Sequence, residues 1–179
     1  GTLTPLRTAF DVGFYHLDVE VFPEEELIKG SSLIKFRVVE PTGKIQIDLF
    51  SGMGIDSIMH LGKSLDFERE YDAVYVLFQE QLKKGANEEI KVYYGGRPLD
   101  FDPLTPMFAS FIWIKDEYDH PWMQAICQGY GASGWWPNKD HMYDEPDSMR
   151  ISVRTPKGLM DVNNGRLKGV QDHADGSKT

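Results

Sequence analysis

The sequence is poor in cysteine, in basic residues and in long apolar runs. Its 179 residues include a single cysteine, Cys127, so the chain cannot form a disulfide bond within itself. The 19 lysines and arginines are outnumbered by 28 aspartates and glutamates, which gives a formal net charge of −9. Such a surface repels a phosphate backbone unless basic residues cluster locally, and the sequence has no such cluster. We therefore expect no nucleic-acid partner.

No run of apolar residues approaches the roughly 20 that a membrane-spanning helix requires, so we expect a soluble protein without a membrane span. No signal peptide is visible. The sequence starts with Gly1 rather than with methionine, which is compatible with a leader that has been removed. The compartment therefore stays open, and export is one of the alternatives.

Motifs of metal-dependent and nucleophilic catalysis are also missing. The sequence contains no His-Glu-x-x-His and no cysteine–histidine pair at zinc-binding spacing. Ser133 lies in GASGW, which lacks the last glycine of a Gly-x-Ser-x-Gly elbow. Cys127 has no sequence neighbour that would activate a thiolate, and we predict a small buried residue. The acidic residues within 140–147 predict an exposed loop, with a calcium site as the alternative. We expect no catalytic residues and no bound metal in this chain.

What the sequence does contain is a period of two. The segments YHLDVEV (15–21), LIKFRV (33–38) and KIQIDL (44–49) alternate apolar and polar residues, which is typical of half-buried strands. Shorter runs of the same kind occupy 73–78, 89–94, 108–114 and 149–155. Strands at this spacing, without a sustained helical period, indicate an all-β sandwich or a large bent sheet.

Two local signals complete the predicted secondary structure. The segment FQEQLKKG (78–85) predicts one helical turn that ends at Gly85. The triplet Asn163-Asn164-Gly165 predicts a β-hairpin turn.

Four segments resemble a known family. The stretch CQGYGASGWWPNKDHMYDEPDSMRISVRTP (127–156) resembles the most characteristic part of the first domain of zinc aminopeptidases related to aminopeptidase N. There, a strand bearing Gln or Glu precedes an aromatic-Pro-x-x-Asp turn. The opening segment 7–38, the segment NEEIKVYYGGRP (87–98) and the segment 164–179 resemble other parts of the same domain.

The resemblance implies an all-β fold with a large bent, saddle-like mixed sheet and a sandwich-like core. It implies that residues 1–179 are a single N-terminal domain of a larger metallopeptidase, whose zinc-bearing catalytic domain is absent from this sequence. In that family, the first domain covers the active-site cleft while the catalytic domain removes N-terminal residues from peptides. The implied partners are therefore the catalytic domain of the same chain and the N-terminus of a peptide substrate, while zinc belongs to the catalytic domain.

The resemblance also implies roles for single residues. When Pro137 and Asp140 are aligned with the family's turn, Gln128 falls at the position that helps to hold the free amine of the substrate. The alternative is a strand glutamine bonded to neighbouring backbone. Trp135, Trp136, Pro137 and Asp140 would form a rigid turn, in which Asp140 caps backbone amides and the aromatic rings provide stiff apolar area or an interdomain contact.

A second hypothesis needs no catalytic domain. Trp113, Trp122, Trp135 and Trp136 would form a sugar-binding platform on a carbohydrate-binding β-sandwich. If Trp135 and Trp136 lie on one strand, they point to opposite faces, and only one of them can serve. A further expectation is an exposed apolar patch near the 135–137 turn, through which the chain on its own would self-associate at high concentration.

Overall fold

The computed structural model describes residues 2–100, 104 and 110–179. One short helix, ten strands and one 3-10 turn cover the regular structure of these residues. They are α1 (Pro5–Thr8), β1 (Phe10–Phe22), β2 (Leu27–Val38), β3 (Thr42–Asp48), β4 (Met53–His60), β5 (Lys63–Glu70), β6 (Ala73–Leu82), β7 (Asn87–Gly96), β8 (Phe111–Lys115), β9 (Pro121–Ala125), the 3-10 turn Ala132–Gly134 and β10 (Ser148–Arg154).

Eight of these strands form one sheet in the order β10-β1-β2-β7-β4-β5-β6-β3. Strand β10 pairs with β1 in the parallel sense, and the other neighbours pair in the antiparallel sense. The sheet curls into a half-barrel. Strands β8 and β9 form a separate antiparallel hairpin. The prediction of a large, bent, mixed sheet is confirmed.

The core lies on one face of this sheet, and alternation puts it there. In β1, Leu17 and Val19 are almost fully buried, as the sequence pattern predicts. A bulge between Val12 and Phe14 changes the register of β1 against β2. Both Val12 and Tyr15 therefore face the core, although they are three positions apart in the sequence.

Strand β3 is buried on both faces. Ile45 and Ile47 are inaccessible to solvent, as predicted, but Gln46 and Asp48 are also only 4% and 5% exposed. The sequence pattern places these two polar residues outward, and the alternation is indeed kept. What the pattern does not show is that α1 and the segment around Asn138 cover this second face.

Three predictions about secondary structure are wrong or incomplete. Residues 78–82 continue β6 instead of forming a helical turn, and Leu82 at its end pairs with Thr42 of β3. Gly85, at φ +84°, does close a turn, but it is the β6–β7 turn. Residues 163–166 form no hairpin, since no β-bridge joins residues 156–164 to residues 166–170.

The sequence pattern does not predict strands β4, β5 and β9. The sequence KSLDFERE of β5 is mostly polar, and Leu65 is its single buried residue. The predicted strand 108–114 matches β8 from Phe111 onward, whereas residues 108 and 109 lie outside the described residues.

Candidate functional site

Two neighbouring segments hold the residues singled out in the sequence. We call residues 126–131 the Gln128 turn and residues 132–144 the corner segment. The corner segment begins with the 3-10 turn Ala132–Gly134 and is not a strand. The expectation that Trp135 and Trp136 point to opposite faces is therefore wrong. Their rings touch, with centroids 6.3 Å apart at 67°.

Trp136 is a packing residue. It is 7% exposed, and its ring meets the Tyr15 ring edge-on at a centroid distance of 5.0 Å. Pro137 next to it is buried. The Tyr15 hydroxyl accepts a hydrogen bond from the backbone N–H of Lys139 at 3.1 Å. Burial raises the pKa of Tyr15 far above the usual phenol range, so the hydroxyl stays neutral. These contacts fix the corner segment against β1.

Asp140 binds the start of the corner segment. Its Oδ2 accepts hydrogen bonds from the backbone N–H of Ser133 at 3.0 Å and from the Ser133 hydroxyl at 2.6 Å. Gly131, directly before the 3-10 turn, has φ +106°, and a Cβ atom there would lie 2.2 Å from the same carboxylate oxygen. Only glycine fits at this position, because the carboxylate occupies the space that a side chain would need.

A buried ion pair joins α1, β3 and the corner segment. The guanidinium of Arg7 donates two hydrogen bonds to the carboxylate of Asp48, at 2.6 and 3.2 Å. Each of the two side chains is 7% exposed. Asp48 also accepts hydrogen bonds from the Gln46 amide at 3.1 Å and from the backbone N–H of Asp140 at 3.2 Å. Its charge is thus fully paired, as a buried carboxylate requires.

A second buried ion pair closes the corner segment. The ammonium of Lys139 contacts the carboxylate of Asp144, and both side chains are only 2% exposed. The same ammonium donates to the Phe10 carbonyl and lies 4.5 Å from the centre of the Phe10 ring. Asp144 also accepts from the Val12 N–H at 3.1 Å. The prediction that the acidic residues of 140–147 are all exposed is therefore wrong for Asp144, which is structural.

The Gln128 turn begins directly after β9 ends at Ala125, and Gln128 is exposed. The turn is closed by the Gly131 N–H, which donates to the Cys127 carbonyl at 3.2 Å. On one side, the indole N–H of Trp135 donates to the Cys127 sulfur at 3.3 Å. Gln128 itself makes no side-chain hydrogen bond to any residue that the structure describes.

Tyr130 holds the other side of this turn. Its hydroxyl donates to the Asp72 carboxylate, and its ring meets the Phe50 ring edge-on at 6.4 Å. Burial, and then the hydrogen bond to Asp72, raise the pKa of Tyr130, so the phenol remains a donor. The turn therefore presents an amide with no partner among the described residues, from a backbone that is anchored at both ends.

Cys127 departs from its prediction. The residue is exposed rather than buried, although its sulfur lies against the Trp135 indole. Desolvation there raises the pKa of the Cys127 thiol, with the hydrogen bond from Trp135 opposing the shift. A raised pKa keeps the thiol protonated, which does not suit a nucleophile.

The tryptophans do not form one exposed face. Trp113 and Trp135 both pack around Phe111, with ring centroids 4.6 and 5.9 Å from it, while Trp136 is buried. Trp122, 58% exposed, lies opposite Ile114 on the hairpin. The arrangement gives no support to a sugar-binding platform, which needs coplanar exposed rings.

Among residues 2–100, 104 and 110–179, no group of three or more His, Cys, Asp or Glu side chains is placed to hold a metal ion. Over the same residues, no helix has the length and apolar character that crossing a membrane requires.

No family model matches the sequence, and no curated protein matches it significantly. The fold does match solved structures. An M1 zinc metallopeptidase from Deinococcus radiodurans bound to a Tyr-Ser-Ala substrate superposes with a TM-score of 0.74 at 22% identity, over 95% of this chain and 38% of that one. Native yeast LTA4 hydrolase superposes with a TM-score of 0.72 at 15% identity, over 96% of this chain and 26% of that one. This chain thus spans 38% of the first protein and 26% of the second, and its fold is that of the N-terminal domain of M1 zinc metallopeptidases.

Proposed function

We propose that this chain is the non-catalytic N-terminal domain of a zinc-dependent aminopeptidase, in which it covers the active-site cleft and helps to bind the N-terminus of the substrate. The observation that carries this proposal is the fold, which matches an M1 zinc metallopeptidase bound to a tripeptide over 95% of this chain. The zinc ion and the hydrolysis of N-terminal residues are assigned to a catalytic domain of the same protein. None of the described residues is grouped to bind a metal.

Gln128 is the residue that we assign to substrate binding. Its amide oxygen can accept a hydrogen bond from an ammonium group, which carries only donors. The exposed position supports this role, and so does the lack of a competing partner among the described residues. The anchoring of the turn through Trp135 and Tyr130 adds to the argument, because a fixed acceptor loses little entropy on binding.

The experiment that tests this role uses the complete enzyme with Gln128→Ala. We expect KM for a free-amine peptide to rise by about tenfold or more, the equivalent of one lost hydrogen bond to a charged group, with zinc content unchanged. Gln124→Ala, an exposed glutamine on β9, is the matched control and should behave as the wild type. An unchanged KM for Gln128→Ala, or equal effects of the two variants, would rule out the assignment.

We place the contact with the catalytic domain at the exposed end of the corner segment. Met142 is 96% exposed and Tyr143 is 71% exposed, while the two buried ion pairs hold the backbone beneath them. Large apolar side chains displayed on a rigid base are typical of an interface.

Self-association of the isolated chain tests this surface. Changing Met142→Ser together with Tyr143→Ser should lower the dimer fraction seen at high concentration by analytical ultracentrifugation. Leu61→Ser with Tyr71→Ser removes two equally exposed apolar side chains elsewhere, at 79% and 84% exposure, and is the control. The assignment fails if the control pair lowers the dimer fraction as much, or if the wild type stays monomeric.

A further inference from the structure

An apolar groove lies at the opposite end of β1 from the bulge. Its walls are the β1–β2 turn, the turn of the β8–β9 hairpin and the segment after β10, and it encloses about 740 Å³. Its floor consists of half-buried apolar residues, namely Phe22, Pro23, Pro121, Pro156 and Leu159. Neither the Gln128 turn nor the corner segment lines this groove. The proline-rich floor is stiff, so the groove keeps its shape without an occupant.

The rim of the groove is acidic. Five carboxylates line it against a single lysine, Lys157, and one histidine, His120. The carboxylates are those of Glu20, Glu24, Glu25, Asp116 and Asp175. Because the whole chain carries a net charge of −9, no distant excess of positive charge cancels this local field. An anionic partner is repelled here, and a cationic one is attracted.

Three of the rim carboxylates have partners within the chain. Glu20 and Asp175 both contact the Arg154 guanidinium, at 3.4 and 2.7 Å. Asp116 accepts hydrogen bonds from the backbone N–H groups of Tyr118 and His120, at 2.8 Å each. These contacts fix the carboxylates in place around the groove.

The other two carboxylates have no such partner. Glu24 and Glu25 are exposed, and within the described part of the chain neither forms an ion pair or a hydrogen bond. The nearby Lys115 pairs with Asp119 at 3.0 Å. Asp119, and to a smaller extent Glu24, raise the pKa of Lys115. Two adjacent carboxylates thus stand unneutralised beside an apolar floor.

We propose that this groove binds an extended cationic peptide segment in which apolar side chains alternate with lysine or arginine. Apolar side chains of such a segment cover the floor formed by Phe22, Pro121 and Leu159, while its ammonium or guanidinium groups reach Glu24 and Glu25. This function goes beyond the proposed role at Gln128. Binding in the groove does not require the N-terminal amine of the peptide, because the groove contacts only the side chains of the peptide.

The test is an NMR titration of the ¹⁵N-labelled chain with an acetylated and amidated pentapeptide of alternating lysine and leucine. Blocking both ends removes the α-amine that Gln128 is proposed to bind. We expect shift changes at Phe22, Glu24, Glu25 and Leu159, and weaker binding when the salt concentration rises from about 50 to about 200 mM. Shift changes confined to other parts of the chain would overturn the proposal.

Matched variants and peptides distinguish the contribution of the two carboxylates to binding from that of the apolar floor. Glu24→Gln with Glu25→Gln should weaken binding by about fivefold or more, as expected for lost charge pairs. Glu70→Gln with Glu80→Gln removes two exposed carboxylates elsewhere and should leave binding within about twofold. A peptide with serine in place of leucine, or spermine alone, should bind more weakly. Equal affinity for these probes, or equal losses in the two double variants, would refute the proposed site.

Discussion

The corner segment and the Gln128 turn are adjacent in sequence but are built in opposite ways. In the corner segment, Lys139 and Asp144 are almost fully removed from water and paired, and Asp140 and its neighbours reach the buried pair Arg7–Asp48. In the Gln128 turn, the side chain singled out for function is exposed and unpaired among the described residues. Buried charges that are fully paired allow one geometry only. The corner segment thus provides a fixed base from which the turn presents an amide.

The largest effect should come from breaking that base. Asp48→Ala leaves the Arg7 guanidinium buried without its carboxylate and removes the acceptor of the Asp140 N–H. We expect a loss of about 3–5 kcal/mol in the free energy of unfolding, measured by urea denaturation. Glu68→Ala breaks the Lys44–Glu68 pair, in which Glu68 is 61% exposed, and should cost less than about 1 kcal/mol. Similar losses for the two variants would show that Asp48 does not stabilise the corner segment as described.

Gly131→Ala tests the junction between the two segments. The added methyl group meets the Asp140 carboxylate, and φ +106° strains any residue with a Cβ atom. We expect a loss of roughly 1–3 kcal/mol in the free energy of unfolding. Gly43→Ala is a control with open space around the new Cβ atom and no positive φ. A Gly131→Ala variant as stable as Gly43→Ala would mean that the carboxylate moves freely and is not a fixed cap.

Trp135→Phe removes the indole N–H that donates to Cys127 while keeping most of the aromatic area near Phe111. We expect a loss of about 1 kcal/mol in the free energy of unfolding. Faster hydrogen exchange at the backbone amide of Gly131, which donates to the Cys127 carbonyl, should accompany it. Unchanged exchange at this amide would show that the Trp135–Cys127 contact does not hold the turn.

The smallest effect should be that of Gln128→Ala on stability. The side chain is exposed and unpaired among the described residues, so the free energy of unfolding should change by less than about 0.5 kcal/mol. Thermal and urea unfolding of the isolated chain measure it without any catalytic domain. A loss of more than about 1 kcal/mol would place Gln128 among the structural residues.

Much of the sheet is readable from the sequence because one face of it is buried. Alternation in β1, β2 and β3 predicts which residues enter the core, and Leu17, Ile34 and Ile47 are inaccessible or nearly so. The same signal fails for β5, whose residues are mostly polar, and at 78–82, where pairing overrides a local helical pattern. Alternation does not predict that the second face of β3 is buried, because the residues that cover it, Arg7 and the corner segment, come from distant parts of the chain.

The candidate site is only partly readable. The Trp135–Asp140 stretch is conspicuous because aromatic, proline and charged residues stand together, but the burial of Lys139 and Asp144 leaves no local sign. Carboxylates in a polar loop predict exposure, and only the folded chain shows that Val12 and Phe10 line the place where Asp144 and Lys139 meet. The role of Gln128 rests on resemblance and stays a prediction.

The parallel pairing of β1 with β10 has a consequence for how the chain is made. Phe14 lies opposite Ser148 and Glu20 lies opposite Arg154, so one edge of β1 has no partner during the interval in which residues 23–147 are synthesised. At about 5–20 residues per second, that interval is on the order of ten seconds. Strands β2 to β7 can pair in the meantime, since their partners are close in sequence. A nascent chain therefore carries an open β1 edge until β10 has been synthesised and is exposed during that time to strand exchange with a second nascent chain.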